Sequence, residues 1–202
     1  MTKFKPFLAT ICAAVAIHAA QATTVIPPSF DELVEQAQLI FEGTVTETQS
    51  QWAGEGGSRR IVTYVTFKVE EAIKGEPGAT YTVRMLGGTV GDETMEVTES
   101  PKFKVGDRDI LFVENNGTQF IPLVGIMHGR FRIEKEKATG REVVMSNAGE
   151  PVTAVAELGK IEEHAHGNRS TDSSAAAATA RALGSADFKS AIKAKLGQGK
   201  KS

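Results

Sequence analysis

Hydrophobic and polar residues alternate along much of the chain between residues 39 and 146. The clearest example is Arg60–Glu70, in which Ile61, Val65 and Val69 recur at even spacing among polar neighbours. Alternation with a period of two is typical of a β-strand that buries one face. The pattern therefore predicts a chain built mainly of short strands.

Glycine and asparagine punctuate this alternation and define where each strand ends. The turns fall at Gly75, Gly87-Gly88, Asn115-Asn116-Gly117 and Thr139-Gly140, and Gly43 inside the first strand predicts a bend or bulge. The predicted strands are residues 39–46, 60–70, 81–86, 95–98, 110–113, 120–124, 130–134 and 142–145.

Two segments follow the helical period instead. Ser29, three residues before Glu32, predicts a capping box and a short helix over Phe30–Gln38. Near the C-terminus Phe188, Ile192 and Leu196 repeat every four residues and predict an amphipathic helix. We expect residues 152–184 to form a flexible linker and residues 185–202 the helix with a basic tail. The helix either docks on the body, frays, or binds a partner or surface.

The N-terminus has the pattern of a secretory signal peptide. Lys3 and Lys5 precede the apolar run Phe7–Ala20, which closes on the small-x-small sequence Ala20-Gln21-Ala22. We expect cleavage after Ala22, which makes residues 1–22 the signal and places the protein in the periplasm or outside the cell. The run is shorter than the roughly 20 residues of a spanning helix, and we expect no membrane span.

Composition narrows the chemistry further. The single cysteine, Cys12, lies within the predicted signal peptide, so disulfides, thiol catalysis and cysteine-zinc sites are not expected after cleavage. The formal net charge of −2 gives no reason to expect binding to nucleic acid. Twenty glycines and only 6% aromatic residues favour many turns and a light core. No cofactor motif is present, and we expect no cofactor.

The order of features resembles that of the netrin-like module, an OB-type β-barrel family. The segments that carry the resemblance are Gln38–Val45, Val65–Gly75, Phe103–Asp107 and Ile110–Val113. The resemblance implies a small antiparallel barrel over residues 23–151, and it implies a binding module, because netrin-like domains generally bind proteins. A plain β-sandwich is the alternative fold.

The chain also resembles cysteine-free secreted bacterial domains of unknown function that carry a Gly-Gly-x-x-Gly loop, here Gly87-Gly88-Thr89-Val90-Gly91. It departs from the metalloproteinase inhibitors of the netrin-like family, in which an N-terminal cysteine reaches the protease zinc. After cleavage this chain would begin at Thr23. Inhibition by that route is therefore not expected.

Candidate binding residues lie in two glycine-rich loops. Trp52, Arg59 and Arg60 lie in or beside the loop Gln51–Arg59, and tryptophan and arginine are enriched among residues that dominate protein interfaces. Gly87, Gly88 and Gly91 form the second loop. We expect a protein partner, such as a secreted protease, at these loops.

Two other functions remain open. A binder of cell-envelope polysaccharide would use Trp52 together with Tyr64 or Tyr81. A hydrolase or metal-dependent enzyme would need His128 to meet an acid, with candidates at Asp107, Asp109 and Glu114.

One short stretch carries metal-ligand residue types. His164 and His166, beside Glu162 and Glu163, have the spacing for a weak zinc or copper site. They lie in the predicted linker, and a solvated polar segment is the favoured interpretation.

Overall fold

A computed structural model of the chain describes residues 26–98, 100–160 and 179–199. The chain is mainly β, as the alternation predicts. The elements are α1 (Phe30–Gln36), β1 (Leu39–Ala53), β2 (Arg60–Lys74), β3 (Thr80–Leu86), β4 (Gly88–Val90), β5 (Glu93–Met95), β6 (Arg108–Val113), β7 (Arg130–Lys135), β8 (Glu142–Ser146) and α2 (Ser185–Gly199).

Six strands form one antiparallel sheet in the order β3-β2-β1-β6-β7-β8, and β4 pairs with β5 in a separate hairpin. The edge strands β3 and β8 do not pair with each other, so the sheet formed by the described strands is open where the sequence predicted a closed barrel. Strands β1 and β2 are longer than predicted and form a hairpin of 15 residues on each side. The predicted loop at residues 51–59 shortens accordingly, because β1 continues to Ala53.

The bulge predicted at Gly43 is confirmed. The pairing of β1 with β2 shifts register between Glu42 and Gly43, and again on either side of this point. A Cβ at Gly43 would lie 2.8 Å from the carbonyl oxygen of Lys68. The close approach of the two backbones therefore requires glycine here.

Helix α1 begins at the predicted capping box. The Ser29 hydroxyl accepts the N–H of Glu32 at 3.3 Å, and the Glu32 carboxylate accepts the N–H of Ser29 at 2.8 Å. The helix ends at Gln36, slightly earlier than expected, because Ala37 turns to an extended conformation that leads directly into β1.

Both faces of the sheet are covered by apolar side chains. On the first, which we call the helix face, Ile40 and Phe112 pack against the two helices. On the opposite face Phe41, Phe67 and Leu111 form a second cluster. Alternate residues of β1 and β6 thus enter different clusters, as the period of two requires.

Helix α2 docks on the helix face. Phe188 and Ile192 are fully buried, and the Phe188 ring lies 4.8 Å from that of Phe131 between centroids. From the sequence alone, this helix could dock on the body, fray, or bind a partner or surface. The contacts made by α2 show docking on the body.

Ion pairs join α2 to the sheet. Lys189 bonds both Glu42, which is almost completely buried, and Glu71 at 2.7 Å. Hydrogen bonds from Lys189 and Lys193 lower the pKa of Glu71. Arg108 contacts Glu42 from β6, so the buried carboxylate has cations on two sides.

The two ends of the predicted linker meet at β8. The Val144 N–H bonds the Leu183 carbonyl, the Val152 N–H bonds the Val144 carbonyl, and the Leu183 N–H bonds the Val152 carbonyl at 2.7 Å. The two described ends of the predicted linker therefore cover the β8 edge. Residues 161–178 and the predicted signal peptide at 1–22 lie outside the described residues.

The strand predicted at residues 120–124 is wrong. Only Leu123 forms a β-bridge, with Val113, because Pro122 has no N–H to donate and the chain reverses at Gly125 and Ile126. Both of these residues have φ near +60°. The predicted strand at 95–98 is observed slightly earlier, as β5.

The connection between β6 and β7 instead protects the edge of β3. The Asn116 side chain accepts the N–H of Arg84 at 3.0 Å and donates to the carbonyl of Thr82 at 2.8 Å. The N–H of Leu86 donates to the carbonyl of Phe120 at 2.7 Å. This connection therefore bonds the outer edge of β3 where a further strand would otherwise pair.

Candidate functional site

The candidate residues Trp52, Arg59 and Arg60 lie at the end of the β1–β2 hairpin. Trp52 pairs with Ile61 across the hairpin, and Ala53 with Arg60 is the final pair. The loop that joins the two strands contains a single 3-10 turn at Gly56–Ser58. The hairpin end projects beyond the β6 strand, whose pairing with β1 reaches only to Thr44.

Trp52 and Arg59 contact each other directly. The guanidinium carbon of Arg59 lies 4.3 Å from the centre of the Trp52 ring, which is cation–π geometry. Arg59 is exposed and Trp52 is half-buried. This pair presents an aromatic ring and a positive charge at the same point.

Arg60 lies on the other side of the hairpin. Residues Arg60 and Ile61 are adjacent in β2, and successive side chains of a strand point to opposite faces. Trp52 shares the face of Ile61, so Arg60 faces away from Trp52. The sequence grouped these residues as one site, whereas the structure divides them between two faces of the same hairpin end.

Arg84 and Phe120 lie near Arg60. Arg84 pairs with Tyr64, which shares the face of Arg60, and Phe120 is 61% exposed. Together with Leu86 they line a cavity of about 280 Å³, completed by Ala53, Gly54, Gly117 and Thr118. The cavity lies between the hairpin end and the connection from β6 to β7.

The arginines at the hairpin end have no acidic partner among residues 26–98, 100–160 and 179–199. Arg60 donates its Nε–H to the carbonyl of Ser58 at 3.3 Å, and Arg59 lies over Trp52. By contrast, Arg108 and Arg130 are each held by carboxylates. The arginines of the hairpin end are therefore not held in ion pairs by the described part of the chain.

Gly87 and Gly88 have a packing role in the structure. Gly88 has φ +134°, and a Cβ there would collide with the hydroxyls of Ser50 and Thr63. A Cβ at Gly87 would lie 2.8 Å from the carbonyl of Met95. These glycines let the β4–β5 hairpin lie against the long β1–β2 hairpin. Gly91 lies at the exposed turn of the small hairpin, with nothing within 4 Å of its Cβ position.

The three aromatic residues proposed for glycan binding do not share a platform. Tyr81 packs against Phe41 at 5.4 Å, and its hydroxyl accepts a hydrogen bond from Asn116. Trp52 on β1 shares the face of its partner Ile61, and Ile61 is three residues from Tyr64 on β2, so Trp52 and Tyr64 lie on opposite faces.

Two of the three acids proposed to meet His128 form ion pairs with Arg130. Asp107 and Asp109 both bond Arg130, at 2.9 and 2.8 Å, and Arg130 also stacks on Phe103 at 4.1 Å. Burial raises the pKa of Asp109 to about 6, although Arg130 opposes that shift. The arrangement anchors the segment before β6 to the sheet.

A larger groove of about 890 Å³ lies between α1, the end of β2 and the end of α2. Its three lysines are already engaged. Lys74 donates to the carbonyls of Val34 and Glu35, Lys193 pairs with Glu71, and Lys195 pairs with Asp31 and Glu35. The groove therefore has less uncompensated charge than the cavity at Arg60 and Arg84.

The described residues contain no group of three or more histidine, cysteine or acidic side chains that could hold a metal ion. His164 and His166 lie outside them. None of the described helices is long and apolar enough to cross a bilayer. Comparison with protein-family models, with curated proteins and with solved structures found no match.

Proposed function

We propose that the protein is an exported, non-catalytic binding module that contacts a protein partner through the end of its β1–β2 hairpin. The observation that carries this proposal is the concentration of Trp52, Arg59, Arg60 and Arg84 at one end of the sheet, without a described acidic partner. A secreted protease is one class of partner.

The residue types support a protein partner. Tryptophan and arginine are enriched at positions that dominate binding energy in protein interfaces. The Trp52–Arg59 pair is preorganised by its cation–π contact, so less side-chain freedom is lost on binding. Glycan binding by stacked aromatic residues is less well supported, because Tyr81 is already packed against Phe41.

The proposed fold family is the netrin-like module, with its OB-type barrel. Two features support this proposal. Strand β1 is central and pairs with both β2 and β6, and the connection from β6 to β7 crosses to bond β3 through Asn116 and Phe120. OB-type barrels are themselves partly open and bind ligands through strand faces and loops.

Export is proposed from the pattern at residues 3–22. Sequencing the N-terminus of the protein recovered from outside the cytoplasm tests it, with Thr23 expected as the first residue. A protein retained in the cytoplasm with its first 22 residues intact would contradict export.

Affinity capture tests the binding function. The exported chain serves as bait against the secreted and envelope proteins of its own cell, beside the variants Trp52→Ala and Val105→Ala. Val105 is an exposed apolar residue in the turn before β6, and its substitution is the matched control. We expect one specific protein that Trp52→Ala loses and Val105→Ala retains.

Two results would contradict the proposal. One is a partner retained by both variants, because the hairpin end would then not be the contact. The other is specific retention of an envelope polysaccharide with no protein, which would favour the glycan alternative.

A further inference from the structure

We infer that the cavity between Arg60, Arg84 and Phe120 is a subsite for a carboxylate side chain of an acidic peptide segment in the protein partner. This inference rests on the proposed function and names the chemistry that one part of the contact recognises. Nothing in the residue pattern alone indicated it, because the three residues belong to three separate elements.

The polar side chains of the cavity are almost all donors. Arg60 and Arg84 carry ten N–H donors in planar forks and no acceptor, and Thr118 supplies one hydroxyl. The cavity is lined by no carboxylate and no carboxamide side chain. A ligand group that only accepts hydrogen bonds is therefore the best match, and an ionised carboxylate is such a group.

Neutral sugars fit this donor set less well. Each sugar hydroxyl brings a donor as well as acceptors, and side-chain acceptors for those donors are missing from the lining apart from Thr118. A buried donor left without an acceptor costs about 1–3 kcal/mol. Charge complementarity therefore favours an anionic ligand over a neutral one.

The charge at this site is local. The whole chain has a formal net charge of −2, so attraction of acidic groups is not a general property of its surface. Arg60 and Arg84 form no ion pair with any residue in the described ranges, and the guanidinium of Arg60 is positioned by its bond to Ser58. Both guanidinium groups are unpaired, and each presents a planar fork of N–H donors that matches a carboxylate.

The apolar part of the lining favours a peptide as the source of that carboxylate. Phe120 is 61% exposed, and Leu86 lies beside it. An apolar side chain next to the acidic residue of a peptide can pack on this pair. The volume of about 280 Å³ is at the lower limit for drug-sized ligands, so it fits one or two side chains of a longer segment.

Fluorescence anisotropy of the purified exported chain tests the inference at low ionic strength. The probe is a fluorescein-labelled peptide, Gly-Glu-Phe-Glu-Gly, and the matched probe is Gly-Gln-Phe-Gln-Gly. We expect the glutamate peptide to bind at least tenfold more tightly. Added salt should weaken its binding, because exposed charges are screened.

The variants Arg60→Gln and Arg84→Gln should each weaken the binding of the glutamate peptide about tenfold. Arg181→Gln removes the same charge from an exposed residue beside the β8 edge, at the far side of the sheet, and should leave binding unchanged. Thermal unfolding of each variant checks that the fold is retained. Because two separate arginines are tested, a folding defect in one does not decide the result.

Equal binding of the two peptides would overturn the inference, as would binding of polygalacturonate in place of the glutamate peptide. The proposed function is tested separately. A captured partner that Trp52→Ala loses but Arg60→Gln and Arg84→Gln retain would overturn the carboxylate subsite and leave the binding module intact.

Discussion

Lys189 on α2 bonds the carboxylate of Glu42 on β1, and this carboxylate is 1% exposed. The two residues are 147 positions apart. A buried charge is tolerated when it is paired, and Glu42 is paired with Lys189 through Oε2 and with Arg108 through Oε1. The helix therefore completes the environment of a charge in the middle of the sheet.

Removing the two partners of this pair should have unequal effects. Glu42→Gln removes the buried carboxylate that Lys189 and Arg108 share and leaves them only the more exposed Glu71, Glu70 and Glu142. We expect a loss of about 1.5–3 kcal/mol in the free energy of unfolding, the range for hydrogen bonds to charged groups. Lys189→Met should cost less, because Arg108 still neutralises Glu42. Urea unfolding of both variants measures the difference. Equal losses would mean that Arg108 does not compensate.

The buried ring of Phe188 should provide most of the docking energy of α2. It is fully buried among aromatic rings of α1, β6 and β7, and we expect Phe188→Ala to cost about 3–5 kcal/mol. Lys193→Ala, on the exposed part of the same helix, should cost at most about 1 kcal/mol. Denaturant unfolding compares the two variants. Similar costs would show that the ion pairs, not the apolar contacts, hold the helix.

Asn116 should protect the β3 edge. Asn116→Ala removes the acceptor for Arg84 N–H and the donor for the Thr82 carbonyl, and we expect a loss of about 1–3 kcal/mol. An unpaired strand edge also promotes association between chains. Sedimentation velocity over a range of concentrations should therefore detect self-association in Asn116→Ala and not in Asn147→Ala, a half-buried control outside this edge. A monomeric Asn116→Ala at all concentrations would contradict the prediction.

Asp109 should lower the free energy of unfolding as the pH rises, which is the opposite of the effect of a carboxylate whose pKa is lowered by folding. Burial raises the pKa of Asp109 to about 6 from 3.8, so the folded protein keeps this proton to a higher pH than the unfolded chain does. Its contribution to the free energy of unfolding is therefore largest below about pH 4 and falls as the pH rises to about 6.

The comparison with Asp109→Asn isolates this effect, because the other carboxylates are common to both proteins. The stability of the wild type relative to the variant should fall between about pH 4 and pH 6. Carboxyl chemical shifts in an NMR titration should give a midpoint near the value of about 6. A midpoint below 4, with a constant stability difference, would contradict the shift.

Gly88→Ala should displace the β4–β5 hairpin. The new Cβ would collide with the hydroxyls of Ser50 and Thr63 at a backbone φ of +134°, and we expect a cost of about 1–3 kcal/mol. Gly57→Ala is the control, because nothing lies within 4 Å of that Cβ position and its φ is not positive. Its effect should be within about 0.5 kcal/mol. Unfolding by denaturant measures the stability cost of each variant, and the NMR chemical shifts of the β4 amides report whether the hairpin is displaced.

Local signals in the sequence predicted much of the fold. The capping box of Ser29 and Glu32 located α1, and strict alternation located the main part of β2. These features depend on neighbouring residues only. Phe120–Val124 misled the prediction, because its apolar composition favoured a strand while Pro122 and the turn after it prevented one.

The candidate site was predicted only in part, because it depends on contacts between distant elements. Trp52, Arg59 and Arg60 were found from their loop, but strand alternation places Arg60 on the face opposite Trp52. Arg84 joins Arg60 only through the register of β2 with β3, and Phe120 only through the path of the β6–β7 connection. Neither the register of these strands nor the path of this connection can be predicted from neighbouring residues in the sequence.

The bond between Leu183 and Val152 has a consequence for how this chain can change in length. Val152 and Leu183 are joined at the β8 edge by a backbone hydrogen bond, and this contact is set by the strand edge and not by the number of residues between them. Loop-closure entropy grows only slowly with length. The junction of Val152 with Leu183 should therefore tolerate a change in the length of the intervening chain at a small entropic cost.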